Sequence, residues 1–218
     1  MFDIFNSADI SITDSSFIDN SGTGISRHSF RANTGAVSIG YNNIPTSFPL
    51  IAAEVTQCNF TNNRASASRN VRSTNVAFFS RIFTGRGGGL GVFYNESYYN
   101  ITLRIADNHF ENNYARSFGG AVYLVMFGEG TQNVNILERN TFIDNFASLG
   151  GGAIITTFFS NGVVGRPHTT VITDCIFSGN EGQTGGGLFV YPAYECMYIS
   201  PTLSCMCVLK DYKAAGSV

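Results

Sequence analysis

The sequence predicts an all-β fold in which about five coils of short strands stack along one axis. One block of residue types recurs along the chain at intervals of 32 to 50 residues. Short runs of β-forming residues lie between glycines and asparagines, and no stretch of ten or more residues shows convincing helical periodicity. Recurrence of this kind is typical of repeat architectures, in which each unit packs against its neighbours.

The recurring block is centred on a phenylalanine, with an aliphatic residue five positions before it, an asparagine three after it and a small residue five after it. The phenylalanines are Phe17, Phe60, Phe110, Phe142 and Phe177, and the asparagines are Asn20, Asn63, Asn113, Asn145 and Asn180. The aliphatic residues are Ile12, Val55, Ile105, Leu137 and Ile172, and the small residues are Gly22, Ala65, Ala115, Ala147 and Gly182. In the last three copies a second glycine lies ten positions after the phenylalanine, at Gly120, Gly152 and Gly187.

The first two copies are longer than the others. Their glycine elements come late, at Gly35 and Gly89, so residues 21–34 and 66–86 are predicted to be loop insertions. A further match at Phe30 and Asn33 lies only 13 residues after Phe17 and is either an insertion or a slipped register.

Each unit is predicted to contain three strands. One follows the glycine pair, as in residues 121–125, and a second precedes the block, as in residues 101–105. A third short strand carries the phenylalanine. Such runs, rich in Val, Ile, Phe, Tyr and Thr, fit a pleated and half-buried surface.

Stacking the units would place equivalent residues about 4.8 Å apart, the spacing of adjacent strands. The phenylalanines would then form an internal aromatic stack, worth about 0.5 to 1.5 kcal/mol per contact beyond area burial. Asparagine is expected at the turn because it tolerates left-handed backbone angles, and its amide can bond to the units on both sides.

Two motifs carry a resemblance to a known family. Phe-x-x-Asn occurs at residues 110–113 and 142–145, and Gly-Gly-Ala-aliphatic at residues 119–122 and 151–154. These motifs resemble the repeats of the chlamydial polymorphic outer membrane proteins, in the right-handed parallel β-helix, or pectin-lyase-like, group. The resemblance covers about residues 10–191 and implies a right-handed parallel β-helix. Gly187-Leu188 and Gly89-Leu90 depart from the motif by replacing the alanine.

Composition indicates a secreted or surface-exposed protein rather than a nucleic-acid binder. The net charge is −2, charged residues make up 13% of the chain and no basic cluster occurs. No apolar run of 18 residues exists, so no transmembrane helix is expected. The first seven residues lack the features of a signal peptide, and the repeats would present open ends, so we expect a fragment of a longer chain or an incomplete gene model.

The repeats are predicted to span residues 1–191, with an irregular tail at 192–218. The tail holds Cys196, Cys205 and Cys207 and lacks the repeat. It could be a cap, the start of another domain or sequence outside the natural reading frame. Cys58 and Cys175 share a column three units apart, about 14 Å, which exceeds the reach of a disulfide, so both are expected to be free. For the tail cysteines, disulfides are favoured over a metal site, and neither is favoured over the absence of a specific role.

Three Asn-x-Ser/Thr sequons begin at Asn59, Asn95 and Asn100. Asn95 and Asn100 lie in a predicted loop and are the candidate glycosylation acceptors if the chain is secreted by a eukaryote. Asn59 lies beside a core phenylalanine and is the weaker candidate.

An enzyme of the polysaccharide lyase or glycoside hydrolase type is the alternative function. Such an enzyme needs convergent carboxylates, for Ca²⁺ or as an acid and base pair. The column three before the phenylalanine holds Asp14, Gln57, Asp107, Arg139 and Asp174. Here an arginine stands between two aspartates and lowers their pKa values, which favours a surface ion-pair ladder. The three histidines share no column with an acid, so we expect no catalytic residue, cofactor or metal in this chain.

The favoured function is an adhesive or structural scaffold at the cell surface or outside the cell, or in the outer membrane of a bacterium. Its partner would be a protein or a carbohydrate. The loops at residues 81–86 and 94–99 are richest in Tyr and Arg, which are common contact residues and also ordinary loop residues. Open ends of the stack favour self-association.

Overall fold

A computed structural model describes residues 2–5, 9–22, 34–42, 50–66, 85–95, 100–127, 133–159, 169–192, 206–210 and 213–214. Every regular element among these residues is a β-strand, and their sheets are built from parallel pairs. This confirms the all-β class that the short β-forming runs predicted.

The chain passes through four parallel sheets in a fixed order, and each passage is one unit. The first sheet contains Phe2–Phe5, Val37–Asn42, Leu90–Asn95, Val122–Phe127, Ile154–Phe159 and Leu188–Pro192. The second contains Asp9–Thr13, Leu50–Thr56, Asn100–Ala106, Asn133–Glu138, Thr169–Thr173 and Met206–Lys210. The third contains Ser16–Ile18, Asn59–Thr61, His109–Glu111, Thr141–Ile143, Ile176–Ser178 and Lys213–Ala214. The fourth contains Ser21–Gly22, Arg64–Ala65, Tyr114–Ala115, Phe146–Gly150 and Glu181–Thr184. Each strand therefore lies beside its counterpart in the next unit.

The fourth strand corrects the expectation of three strands per unit. It begins directly after the repeated asparagine and is only two residues long in the first three units. Two residues are too few to show the alternation by which strands are recognised. Its inward residue is the small residue of the repeat, and both Ala65 and Ala115 are fully buried.

The core lies between the four sheets. The aliphatic column of the second sheet is buried, and the five phenylalanines of the third sheet stack face to face. Ring centroids of Phe60 and Phe110 are 4.7 Å apart, and those of Phe110 and Phe142 are 5.0 Å apart. Parallel pairing without a change of register produces this stack, because it holds every phenylalanine directly above the next.

A glycine column marks the closest approach of successive units at the entry to the first sheet. A Cβ atom on Gly120 would lie 2.0 Å from the carbonyl oxygen of Gly152, and one on Gly152 would lie 2.2 Å from that of Gly186. Gly186 rather than Gly187 therefore continues this column, which corrects the prediction. The fifth unit is one residue shorter here, because Ala147 pairs with Gly182 but Gly150 pairs with Thr184.

Two turns enclose each phenylalanine strand, and each turn contains a residue with positive φ. In the turn before the strand, called the preceding turn, these residues are Asp14, Gln57, Asp107, Arg139 and Asp174, with φ of 50 to 57°. In the turn after it, called the following turn, they are Asp19, Asn62, Asn112, Asp144 and Gly179, with φ of 50 to 63°. The repeated asparagine comes one residue later, so its predicted left-handed conformation is wrong. The neighbouring residue adopts that conformation and turns the asparagine side chain inward.

Part of the tail continues the sheets. Met206–Lys210 pairs with Thr169–Thr173, and Lys213–Ala214 pairs with Ile176 and Phe177. Of the predicted insertions, residues 23–33 and 67–84 lie outside the described residues, as do Phe30 and Asn33. The boundary after residue 191 stays a prediction.

Candidate functional site

The repeated asparagines form a hydrogen-bonded ladder inside the following turns. The side-chain oxygen of Asn113 accepts from the backbone N–H of Asn63 at 3.1 Å and from its Nδ2 at 3.0 Å. Asn113 Nδ2 in turn donates to the Phe60 carbonyl at 2.8 Å and to Asn145 Oδ1 at 2.9 Å. The same three kinds of bond recur at each of the four steps from Asn20 to Asn180. These residues are therefore structural.

A second ladder lies inside the preceding turns and was missed as such from the sequence. Its positions are Ser15, Cys58, Asn108, Asn140 and Cys175, each two residues before a phenylalanine. Asn140 Oδ1 accepts from the backbone N–H and the Nδ2 of Asn108, both at 3.0 Å. Asn140 Nδ2 donates to the Ile105 carbonyl at 2.8 Å. The two asparagines in this shared column were the available signal. Because the other three positions hold serine or cysteine, the column does not resemble the all-asparagine column of the following turn.

Cys58 and Cys175 are free and buried, as expected from their separation. Burial raises the pKa of each thiol above its ordinary value. Cys58 Sγ lies 3.1 Å from the Thr56 carbonyl and Cys175 Sγ lies 3.7 Å from the Leu137 carbonyl. A buried thiol with a raised pKa is a poor nucleophile, so both residues serve as small ladder members.

The outer side of the preceding turns carries the candidate functional site. A shallow depression of about 560 Å³ is lined by Asp14, Ser15, Ser16, Gln57, Cys58, Asn59, Asp107 and His109. It spans the first three units, because the turns bring equivalent residues of successive units side by side. Asp14, Gln57 and Asp107 reach its rim through their left-handed conformation, which directs the following residue inward and leaves them exposed.

An ion-pair network borders this depression. Arg139 donates to both carboxylate oxygens of Asp107, at 2.7 and 2.8 Å, and contacts Glu138 at 3.1 Å. Arg104 donates from Nε to Glu138 at 2.8 Å and also pairs with Glu54. The network therefore links three units of the stack by alternating charges.

The network shifts the protonation of its carboxyl groups. The hydrogen bond from Arg139 holds the pKa of Asp107 below its ordinary value, and the one from Arg104 does the same for the pKa of Glu138. The expectation that Arg139 lowers the pKa of a neighbouring aspartate thus holds for Asp107. Arg139 bonds to Asp107 and Glu138, and within the described residues it makes no ion pair with Asp174.

This arrangement suits binding better than acid–base chemistry. A general acid needs a raised pKa, whereas Asp107 is held ionised by its arginine. Asp14 lies two units from Asp107, about 9.6 Å by strand spacing, with Gln57 between them. His109 makes a 3.1 Å contact with Glu111 on its own strand. Amide, hydroxyl, imidazole and carboxylate groups thus form a polar surface that can exchange hydrogen bonds with a ligand.

Other predicted residues have different environments. Asn95 ends a strand of the first sheet and Asn100 begins one of the second, while residues 81–84 and 96–99 lie outside the described part of the chain. Arg86, assigned to a protruding loop, is 2% exposed, and its guanidinium carbon lies 4.9 Å from the Tyr123 ring centroid. It packs against an aromatic cluster on the first sheet, so the prediction that it is an exposed loop residue, with or without a contact role, is wrong.

The described residues contain no group of three or more His, Cys, Asp and Glu side chains that could hold a metal ion. The same residues contain no helix long and apolar enough to cross a membrane.

Comparisons with family models, curated proteins and solved structures give no match for this chain.

Proposed function

We propose that the chain is a right-handed parallel β-helix that acts as a surface-exposed or secreted scaffold, and that it presents its loops and polar face to a protein or glycan partner. The four parallel sheets with in-register units support the β-helix, and the resemblance to the repeats of polymorphic outer membrane proteins supports the surface location. In this function the ladders keep the scaffold rigid, and the outer side of the preceding turns binds the partner.

The observation that carries this proposal is the contrast between the inside and the outside of the preceding turns. Inside, Asn108 and Asn140 are buried and their amides are engaged by neighbouring units. Outside, Asp14 and Gln57 are exposed on the rim of a polar depression. A rigid support with polar groups held outward loses little conformational freedom on binding, which favours recognition of a polar ligand such as a glycan.

An oligosaccharide array tests the glycan part of this function. We expect the purified chain to bind a subset of oligosaccharides, and Asp14→Ala with Gln57→Ala to weaken that binding about tenfold, equivalent to about 1.4 kcal/mol. Asp19→Ala with Asn62→Ala is the matched control, because these residues have the same backbone conformation in the same two units. The control should bind as the unmodified chain does.

Either of two array results would contradict the glycan part of the proposal. If no oligosaccharide binds, or if both double variants lose binding equally, the depression is not a glycan-recognition surface. If incubation with polygalacturonate or alginate, with and without Ca²⁺, releases unsaturated or reducing-end products in proportion to protein, the chain is an enzyme rather than a scaffold.

We also propose self-association through the end of the stack. In the first unit, Ser16–Ile18 and Ser21–Gly22 each pair with one neighbouring strand among the described residues. Unpaired strand edges template further pairing. Sedimentation should show a mass that rises with protein concentration, and a constant monomer mass would refute this.

A further inference from the structure

Asn59 is the first residue of the sequon Asn59-Phe60-Thr61, which forms a strand of the third sheet. Phe60 is fully buried in the aromatic stack, whereas Asn59 and Thr61 are partly exposed. Successive side chains of a strand point to opposite faces, so both polar members of the sequon lie on the outer face. Proximity to a core phenylalanine therefore does not bury Asn59, which removes the reason for ranking it below the other sequons.

The amide of Asn59 is oriented by its own sequon. Thr61 Oγ1 donates to Asn59 Oδ1 at 2.6 Å. The Nδ2 atom of Asn59 makes no hydrogen bond to any described residue. Asn63, four residues later, is the opposite case: it is fully buried, and its Nδ2 donates to Phe17 and Asn113. A substituent on Asn63 Nδ2 would break the ladder, whereas one on Asn59 Nδ2 would break no hydrogen bond.

There is also room for a substituent at Asn59. This residue lines the depression of the preceding turns, and its neighbours on the same face are Ser16 and His109 in the adjacent units. Ser16 is exposed and short, so it leaves space beside the amide. The polar lining can exchange hydrogen bonds with the hydroxyl and acetamido groups of a sugar.

We propose that Asn59 is an acceptor for an N-linked glycan, and that the first sugar of this glycan lies at the depression. The donor is an oligosaccharide whose terminal N-acetylglucosamine is joined through C1 to a lipid pyrophosphate. Asn59 Nδ2 forms the bond to C1 while the bond between C1 and the pyrophosphate oxygen breaks. The lipid pyrophosphate leaves, one Nδ2 proton passes to a base of the host's transferase, and no oxidation occurs.

This proposal rests on the secreted location that the proposed function includes. The fold's part is to accommodate the product, because the transferase acts on the chain as it enters the secretory pathway. The surroundings of Asn59, with the exposed Ser16 beside it, are compatible with a sugar.

Secretion from a eukaryotic cell tests the acceptor directly. The full chain is expressed behind a cleavable secretion signal, and the peptide containing Asn59 is analysed by mass spectrometry before and after enzymatic removal of N-glycans. We expect a glycan on Asn59 that is lost in Asn59→Gln and in Thr61→Ala but retained in Thr61→Ser. The last two variants differ only in the hydroxyl that the sequon needs, and they serve as a matched pair.

An unmodified Asn59 peptide in the unsubstituted chain would overturn the proposal, whether or not Asn95 and Asn100 carry glycans. A glycan that persists in Thr61→Ala would overturn it too, because modification would then be independent of the sequon. Total cell extract is analysed together with the medium, so a variant that folds poorly and stays inside the cell is still scored. The oligosaccharide array tests the proposed function on unglycosylated protein, so failure of one proposal is distinguishable from failure of the other.

Discussion

The preceding and following turns share one backbone path but differ in the side chains that fill it. In both, a residue with positive φ is followed by a side chain that points inward to a ladder. The following turns hold asparagine in all five units and make three ladder hydrogen bonds at every step. The preceding turns make the full set only between Asn108 and Asn140, and cysteines take the asparagine's place in the units on either side of this pair. Uniform turns thus serve stability, while the varied turns border the polar depression.

Removing a core side chain from the strand that both turns enclose should have the largest effect on stability. Phe142→Ala opens a cavity between two stacked neighbours, Phe110 and Phe177. We expect a loss of about 3 to 5 kcal/mol in the free energy of unfolding, measured by urea denaturation. Thr141→Ala, next in sequence but on the outer face of the same strand, should change it little. Equal losses in both variants would contradict the assigned register.

Interrupting the following-turn ladder should rank second. Asn113→Ala leaves the Phe60 carbonyl and the Asn63 N–H without their ladder partner in a buried site. A loss of about 2 to 4 kcal/mol is expected from these buried groups. Asn108→Ala, the counterpart in the preceding turn, should cost about 1 kcal/mol less, because Cys58 supplies no amide to that step. A larger loss for Asn108→Ala would contradict the expectation that the following-turn ladder contributes more to stability than the preceding-turn ladder.

Completing the preceding-turn ladder should stabilise the protein. In Cys175→Asn, the new oxygen can accept from the backbone N–H and Nδ2 of Asn140, and the new Nδ2 can reach the Leu137 carbonyl that Cys175 now contacts. We expect a gain of about 1 kcal/mol in urea denaturation. Cys175→Ala is the control and should lose stability. If the asparagine variant is no better than the alanine variant, the two turns are not equivalent.

Exchanging left-handed residues between the turns should have a smaller effect. Gln57 and Asn62 have φ of 54° and 55° in the same unit. Asparagine tolerates this conformation better, so Gln57→Asn should gain about 0.5 kcal/mol in thermal or urea unfolding. Asn62→Gln should lose a similar amount. The same sign for both changes would show that side-chain contacts, not backbone strain, decide these positions.

Breaking the ion pairs of the preceding turn should have the smallest effect on stability. The pKa values of Asp107 and Glu138 lie below their ordinary values of 3.8 and 4.5 in the folded protein. A lowered pKa stabilises the fold above these ordinary values, and that stabilisation disappears as the pH falls through the folded pKa. The difference in unfolding free energy between the native chain and Asp107→Asn should therefore shrink on acidification and in high salt. A difference that stays constant with pH and salt would contradict a stabilising ion pair at Asp107.

The repeated block was predictable because its spacing does not change from unit to unit. Phenylalanine and asparagine alternate with outward residues at fixed distances, so parallel pairing brings each of them beside its counterpart, as between Phe110 and Phe142. The all-β class followed from the same short runs. Predicting stacked parallel strands required only this spacing and the absence of helical periodicity.

Features that depend on neighbouring units could not be predicted from the spacing alone. The pairing of Arg104 with Glu54 requires the strand register of the second sheet, and the shift from Gly187 to Gly186 requires the shortened fifth unit. Burial of Arg86 depends on the aromatic cluster around Tyr123, which the repeat pattern does not encode. Asp14, Gln57 and Asp107 were predicted to share a surface column, but the depression beside them was not predicted, because its lining comes from three units.

Disulfide trapping tests the register of the stack most directly. Thr61 and Glu111 are paired neighbours on the outer face of the third sheet, and Ile143 follows in the next unit. Strand spacing puts Thr61 about 4.8 Å from Glu111 and about 9.6 Å from Ile143, and a disulfide requires Cα atoms within about 7 Å. Under mild oxidation, Thr61→Cys with Glu111→Cys should crosslink rapidly, and Thr61→Cys with Ile143→Cys should not. Equal rates, or faster crosslinking of the second pair, would contradict the stacked, in-register units on which the two ladders depend.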